Sequence, residues 1–473
     1  MDIPDQKPPT KSGSNSDKTA SPKKPAETQP EPSPARQNDP PPAQESQQNL
    51  TEAEQNYIHK QFYDDYGYDE NPYFVAATPL KRRHVLTIIF SAVILISLSA
   101  YYILATFEHF SAPGPISIVG EKSNLGVFNP NVIENPHDGW IWMIYSAIHQ
   151  EKGERDPRIH IHLARSHLGG RVWRFSSPAF LGRNATLYDS TGETSEIEGM
   201  WRYETPTVIY TPEDKGREWK IFAYRYFWSG NIEDARKYSA IVYRYSNDIN
   251  IHQWSNEEWL LSARSGQPPP PYDRLVHTYL NPLSPDLADM LYYAQPSALH
   301  SRSINATFMA LTAFKAENKP DRIILIGSTN HGRNWGYLGT VFQSSDAATY
   351  GRDFTRVSGA SLFEDGEDIY IIVSFGDEEI HQQGAYVFKF DNIAEASLVK
   401  DRRGQPELIQ KIDPMLRKRE LGPHGAGQSA YIPAMTHSGV LMSHMTTDST
   451  SPFEIHALHK QIQQKKRRFW QRK

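Results

Sequence analysis

Between Val85 and Phe107 the chain reads VLTIIFSAVILISLSAYYILATF, 23 residues without Asp, Glu, Lys, Arg or His. As one helix the run reaches roughly 34 Å, slightly more than the ~30 Å hydrocarbon core of a bilayer, and a helix satisfies its own backbone inside lipid. Lys81, Arg82, Arg83 and His84 precede it, Glu108 and His109 follow it, and Tyr101 and Tyr102 sit near its far end. Positive charge on the near side predicts a signal-anchor with a cytoplasmic N-terminus and a body that is periplasmic or extracellular. The run begins too late in the chain, and is too long, for a cleaved signal peptide. The sequence therefore reads as a single-pass membrane protein with the bilayer as its first partner.

The two sides of this helix differ in kind. Residues 1–50 hold 11 of the 34 prolines and few apolar side chains, a composition that cannot offset the entropy of ordering; they read as a disordered cytoplasmic tail. Residues 51–84 form an acidic and aromatic juxtamembrane segment in which Tyr63, Tyr66, Tyr68 and Tyr73 alternate with acids, either a solvated spacer or a docking peptide. Residues 116–458 read as strands: runs rich in Val, Ile, Tyr, Phe and Trp, separated by Gly, Asn, Asp and Pro turns. Residues 459–473 are a basic C-terminal tail, suited to an anionic surface or to solvent. With 50 Lys+Arg against 55 Asp+Glu the net charge is −5, which gives no reason to expect a nucleic-acid partner. Without cysteine there are no disulfides, thiol nucleophiles or thiolate metal sites, and an extracytoplasmic body of this kind fits a bacterial inner membrane better than a eukaryotic lumen. The sequons at Asn184 and Asn305 would carry glycan in a eukaryote.

One pattern repeats within the body. A strand opening on small or polar residues leads through a turn into an aromatic or aliphatic strand, beginning at Phe128, Tyr203, Asn305, Ser358 and Gln428. A third strand follows each copy, at 159–166, 240–246, 337–345, 384–390 and 453–458. Sheet units that leave faces uncovered bury them by radial packing, so the pattern predicts an all-β fold, a five-bladed β-propeller. The largest interruption, from Ser262 to Ser303, carries PPPPY and reads as an insertion with a short helical piece around Pro285–Tyr293.

The openings FNPNVI and YETPTVIY, the strand RIHIHLARS followed by GGRVW, and Gly425-Ala-Gly-Gln-Ser429 resemble the five-bladed arabinanase/β-xylosidase and invertase/levansucrase superfamily of glycosidases. That resemblance implies a central funnel and three carboxylates on the innermost strands of successive blades. Its positions here are degenerate: Asn129 or Asn131 in the first blade, Glu204 in the second, Asn305 in the third, and Gln428 in place of a final-blade His, while Glu364 and Asp365 read as turn residues. The candidate catalytic residue is Glu204, a carboxyl whose pKa aromatic neighbours would raise. Asn129, Asn131, Trp201, Tyr203, Asn305, Gln428 and Tyr431 are the candidate saccharide-binding side chains.

His160 and His162 share a strand face but a third ligand is not identifiable, so no metal and no cofactor are expected. Ser166–Trp173 and Ser328–Trp335 resemble the sialidase Asp-box, with Leu168 and Asn330 in the Asp place; in that family the box is a structural turn, and no arginine cluster of a sialidase is recognisable. Two functions remain. The propeller binds, and possibly hydrolyses, a saccharide of the cell envelope; alternatively it is a non-catalytic scaffold or accessory subunit for partner proteins of a membrane complex.

Overall fold

The computed structural model describes residues 82–109 and 113–462, apart from 168, 189–195, 252, 264–275, 317–318 and 448–450. The tail, most of the juxtamembrane segment and residues 463–473 lie outside the described residues. The chain forms two units, Met1–Ile88 and Ile89–Lys473. The apolar run falls within one helix, Arg82–His109, 28 residues long. Side chains are described for 86–99 of it, and the large apolar ones among them are 44–68% exposed. Among the described residues no helix is long and apolar enough to cross a membrane; both ends of the full run extend beyond the described side chains.

From Gly114 onward the structure is mostly β. Successive antiparallel sheets are built on inner strands Gly126–Glu134, Glu196–Tyr210, Tyr292–Ser301, Arg356–Asp365 and Leu421–Ala430, here blades 1 to 5. Each inner strand touches the next, and the fifth touches the first, so the five close a ring. The ring is fastened where the β body begins and ends: Gly114 and Pro115 pair with Ala457 and His456, adding a strand to blade 5, and Phe453 bridges to Gly126. This is the arrangement of a five-bladed propeller. Apolar clusters fill the gaps between consecutive blades, as in Trp142, Ile144 and Leu163 of blade 1 packed with Trp201, Val208 and Ile221 of blade 2.

One sequence expectation is corrected. The inner strand of blade 3 is Tyr292–Ser301, not the segment beginning at Asn305, and the supposed helical piece is a pair of short 3-10 turns, Asn281–Leu283 and Pro285–Leu287. Ala306–Ala316 is the second strand, and Asn305 sits in the turn before it at φ 52°. Strand periodicity alone could not separate an apolar second strand from an inner one, because burial on both faces removes alternation from both.

A shared irregularity explains how the blades lock. Every inner strand turns left-handed at an equivalent place: Asn129 at φ 55°, Thr205 at 51°, Gln295 at 54°, Gly359 at 64° and Gln428 at 41°. At each of these places the pairing with the second strand slips, a β-bulge. The bulge frees a backbone N–H from its own sheet and turns it to the preceding blade. Thr205 N–H donates to Ser146 Oγ at 3.1 Å, Gln428 to Ser374 Oγ at 3.0 Å, Asn129 to Ser443 Oγ at 2.7 Å, and Gly359 to Gln295 Oε1 at 2.9 Å. A second tier lies three residues further along. Val208 N–H donates to Asn131 Oδ1, Ala298 N–H to Thr207 Oγ1, and Leu362 N–H to Ser297 Oγ, at 3.1, 3.0 and 2.9 Å. Left-handed backbone costs roughly 1–2 kcal/mol for a residue with a Cβ, and the buried N–H would cost about 1–3 kcal/mol unpaired; the inter-blade bond offsets both terms.

Blades 2 and 3 are joined by charge as well. Lys220 Nζ lies 2.8 Å from Asp214 Oδ2, both side chains are 3% exposed or less, and Arg333 of the turn Ser328–Trp335 reaches the other oxygen of Asp214. Burial pushes the Lys220 ammonium down to about 8 against the pull of Asp214. That turn is the Asp-box-like sequence, and it is structural here: Ser328 Oγ accepts from Gly332 N–H, Asn330 Oδ1 from Asn334 N–H, and Trp335 Nε1–H donates to Gly332 O.

Two outcomes follow from this joinery. Asp214→Asn leaves a buried ammonium without its counter-charge and should lower stability by about 3–5 kcal/mol in denaturant unfolding. Gly359→Ala places a Cβ 2.9 Å from Gln382 Nε2 at a left-handed φ and should cost at least about 1–2 kcal/mol, whereas replacing the exposed Gly404 by Ala, with nothing within 4 Å of the new Cβ, should cost only the strain of its φ.

Candidate functional site

The five bulges surround a cavity of about 540 Å³ on the propeller axis, reached by side chains of all five blades. This size suits a small ligand. Because side chains alternate along a strand, the inner strand of blade 2 sends Arg202 and Glu204 into the cavity and Trp201 and Tyr203 the other way, into the packing against blade 1. Of the residues predicted to form the site, Asn129, Glu204 and Gln428 line the cavity. Five others lie elsewhere. Asn131 spends its amide oxygen on Val208, Tyr203 donates to Glu257 at 2.7 Å, and Trp201 lies under the Arg225 guanidinium at 3.7 Å. Tyr431 packs beside Phe363 and donates to Gln461 Oε1, and Asn305 occupies its turn.

Second strands carry a matching position in each blade. In blades 1, 3, 4 and 5 the residue opposite the one before the bulge is a hydroxyl: Ser146, Thr312, Ser374 and Ser443. In blade 2 that place is taken by Tyr224, opposite Glu204. Its ring stacks with Tyr226 at 5.2 Å and faces Tyr292 at 6.4 Å, and Tyr292 stacks on Phe314 at 4.3 Å. An aromatic wall thus spans blades 2 and 3, on one side of the funnel. Sequence reading missed it, although AQPS at 294–297 repeats the FNPN and ETPT bulge openings and would have located the blade 3 strand.

Glu204 is the one carboxyl among the described lining residues. Tyr226 donates a short hydrogen bond to its Oε1. Burial raises its pKa, against the opposing effects of Tyr226 and the Arg202 charge. Three histidines also line the cavity, and burial lowers all of them: His381 to about 4, His444 to about 3, and His424 below its ordinary value. They are neutral at neutral pH. The cations are Arg202, Arg236 and Arg356, brought together from blades 2 and 4 and the short helix Ile232–Lys237. Positions so distant in sequence could not be read as a cluster before the fold was known.

Outside the funnel, His160 accepts a hydrogen bond from Gly182 N–H, and His162 Nδ1 lies 2.9 Å from Glu121 Oε2. Burial would raise the Glu121 carboxyl, but His162 and Tyr145 outweigh it and hold it at about 2. Among the described residues no group of three or more His, Asp or Glu is placed to hold a metal ion.

No protein-family model and no curated protein matches the sequence. Among solved structures, the chain is similar in fold to a glycoside hydrolase family 32 enzyme from Bifidobacterium adolescentis, with 10% identity over 73% of this chain and a TM-score of 0.44. The chain spans 56% of the length of that protein. It is also similar to the native arabinanase of Bacillus subtilis, with 10% identity, 73% of this chain, 96% of that one and a TM-score of 0.40. A third is the α-L-arabinanase of Cellvibrio cellulosa complexed with arabinohexaose, with 12% identity, 70% and 91% coverage and a TM-score of 0.40. The likeness is one of a glycosidase-like propeller fold, and no residue role transfers with it.

The raised Glu204 carboxyl has a testable sign. A carboxyl whose pKa is higher in the folded state binds more protons than in the unfolded chain, so stability is full below the unfolded value near 4.5 and falls as pH rises toward the folded value. Glu204→Gln keeps an acceptor for Tyr226 and removes the titration. Thermal melting should show the variant more stable than wild type at pH 7, with the difference shrinking toward pH 4; an unchanged gap would contradict a raised pKa.

Proposed function

We propose that the propeller is a saccharide-binding module that recognises a glycan in its central funnel without hydrolysing it. The observation that carries this reading is the single carboxyl. Glycoside hydrolysis by two carboxylates needs one on each side of the scissile bond, about 5–9.5 Å apart, and Glu204 is the one carboxyl among the described residues lining the cavity. The remaining lining suits binding. Tyr224, Tyr226 and Tyr292 give the cavity an aromatic wall for a sugar ring, and Asn129 and Gln428 offer amides for its hydroxyls. The solved structures similar in fold include enzymes named for arabinan and xylan, which fits a saccharide as ligand class.

The apolar run Val85–Phe107 and the basic residues before it support anchoring in a membrane, with the N-terminus in the cytoplasm and the propeller across the bilayer. A polysaccharide of the cell envelope would then be within reach of the funnel.

A glycan array probed with the full-length chain should give binding to a restricted set of oligosaccharides. Those bound oligosaccharides should remain uncleaved on prolonged incubation, and binding should weaken when Tyr226→Ala removes part of the wall. Release of reducing ends that is lost in Glu204→Gln would contradict the non-hydrolytic reading. Alkaline carbonate extraction should leave the full chain in the membrane pellet, and its recovery in the supernatant would contradict the anchor.

A further inference from the structure

We infer that the funnel recognises an acidic saccharide, one whose carboxylate is held by the guanidinium groups of Arg202 and Arg356. This rests on the saccharide reading above and adds the charge of the ligand. Four charged-type side chains other than histidine line the cavity, and three of them are arginines. The fourth, Glu204, is engaged by Tyr226 and driven toward its neutral form by burial. The histidines are held neutral at neutral pH, so nothing else facing the cavity balances the guanidinium groups.

The counter-charges lie outside the lining. Arg202 faces Asp156 at 4.0 Å, Arg356 Nη2 contacts Glu378 at 2.5 Å, and Arg236 Nη1 contacts Glu233 at 2.5 Å. Glu378 and Glu233 are 53% and 69% exposed, whereas the Arg202 and Arg356 residues are 6% and 7% exposed. Carboxylates in water pull weakly on a buried cation. Donors are also left over. Nε and Nη2 of Arg202 and Nε of Arg356 are shielded from solvent and have no hydrogen-bond partner. Buried donors are paired in nearly all stable proteins, and a planar carboxylate meets a guanidinium fork with two parallel bonds. The Arg202 group is also held in place, stacked 4.8 Å above the Trp228 ring, so it presents a preset fork rather than a mobile point charge.

A neutral glycan brings no charge to these guanidinium groups; a uronate brings a carboxylate that pairs with them beside the tyrosine wall. Arginines at three places in the funnel also predict selectivity for charge position along a chain, not for total charge alone.

The test uses the full-length chain and titration calorimetry with oligomers of galacturonate, glucuronate and mannuronate, each against its fully methyl-esterified counterpart. The esters keep the backbone and lose the charge. At least one free acid should bind about tenfold or more tightly than its ester, with the advantage shrinking as salt rises. Arg202→Gln and Arg356→Gln should each remove the advantage, so that acid and ester bind alike. Arg202→Lys, which keeps charge but not the fork, should restore part of it and guards against loss of folding. Arg403→Gln, in an exposed turn, should change nothing. Equal binding of acids and esters would overturn the inference and leave the saccharide reading standing. Binding of poly-glutamate but of no oligosaccharide would support an anion site and sink the saccharide reading. Binding of none of these probes would overturn both.

Discussion

The propeller depends on a hydrogen bond that each blade makes to the one before it. At the bulge of every inner strand the backbone turns left-handed, and where the donor meets Ser146, Ser374, Ser443 or Gln295 the bond crosses the gap between sheets. Apolar packing presses blades together but does not set their register, because dispersion and burial are non-directional. The polar tier supplies direction. It fixes each inner strand against its neighbour along the axis, and the funnel is the space those strands leave. A Thr in left-handed conformation, as at Thr205, is uncommon enough to need such compensation.

Structure and recognition are divided within each bulge. Asn129, Thr205 and Gln428 use the backbone for the ring and leave their side chains on or near the cavity, Gln295 gives the ring its amide oxygen, and Asn131, Thr207 and Ser297, each two residues past a bulge residue, spend the side chain on the ring. Blade 2 departs from the pattern. Tyr224 takes the place held elsewhere by a small hydroxyl and, with Tyr226, sets the aromatic wall and the partner of Glu204. The chemical character of the funnel is therefore concentrated in the blade whose inner strand also carries Arg202.

The β-propeller was legible because its strands are short, bounded by turn residues, and repeated. Four of the five inner strands were legible too, through FNPN, ETPT, the Gly359 strand and the Gln428 strand. The third was hidden by the proline-rich stretch before it, which breaks strand periodicity and reads as an insertion. Within the site, Glu204 could be placed on the funnel, but grouping Trp201 and Tyr203 with it runs against the period-two alternation that holds up to the bulge and turns both to the opposite face. The arginines were invisible for a different reason. Arg202 and Arg236 belong to blade 2 and Arg356 to blade 4, and no local pattern marks residues that meet through a fold.

The most direct measurement is diffraction from crystals of the chain soaked with an oligosaccharide that it binds. The account predicts an intact glycan in the funnel, one ring against Tyr224, Tyr226 or Tyr292, Glu204 still bonded to Tyr226, and the inter-blade bonds at the bulges unchanged. A glycan seated away from the axis, or density only for cleaved products flanking Glu204, would contradict it.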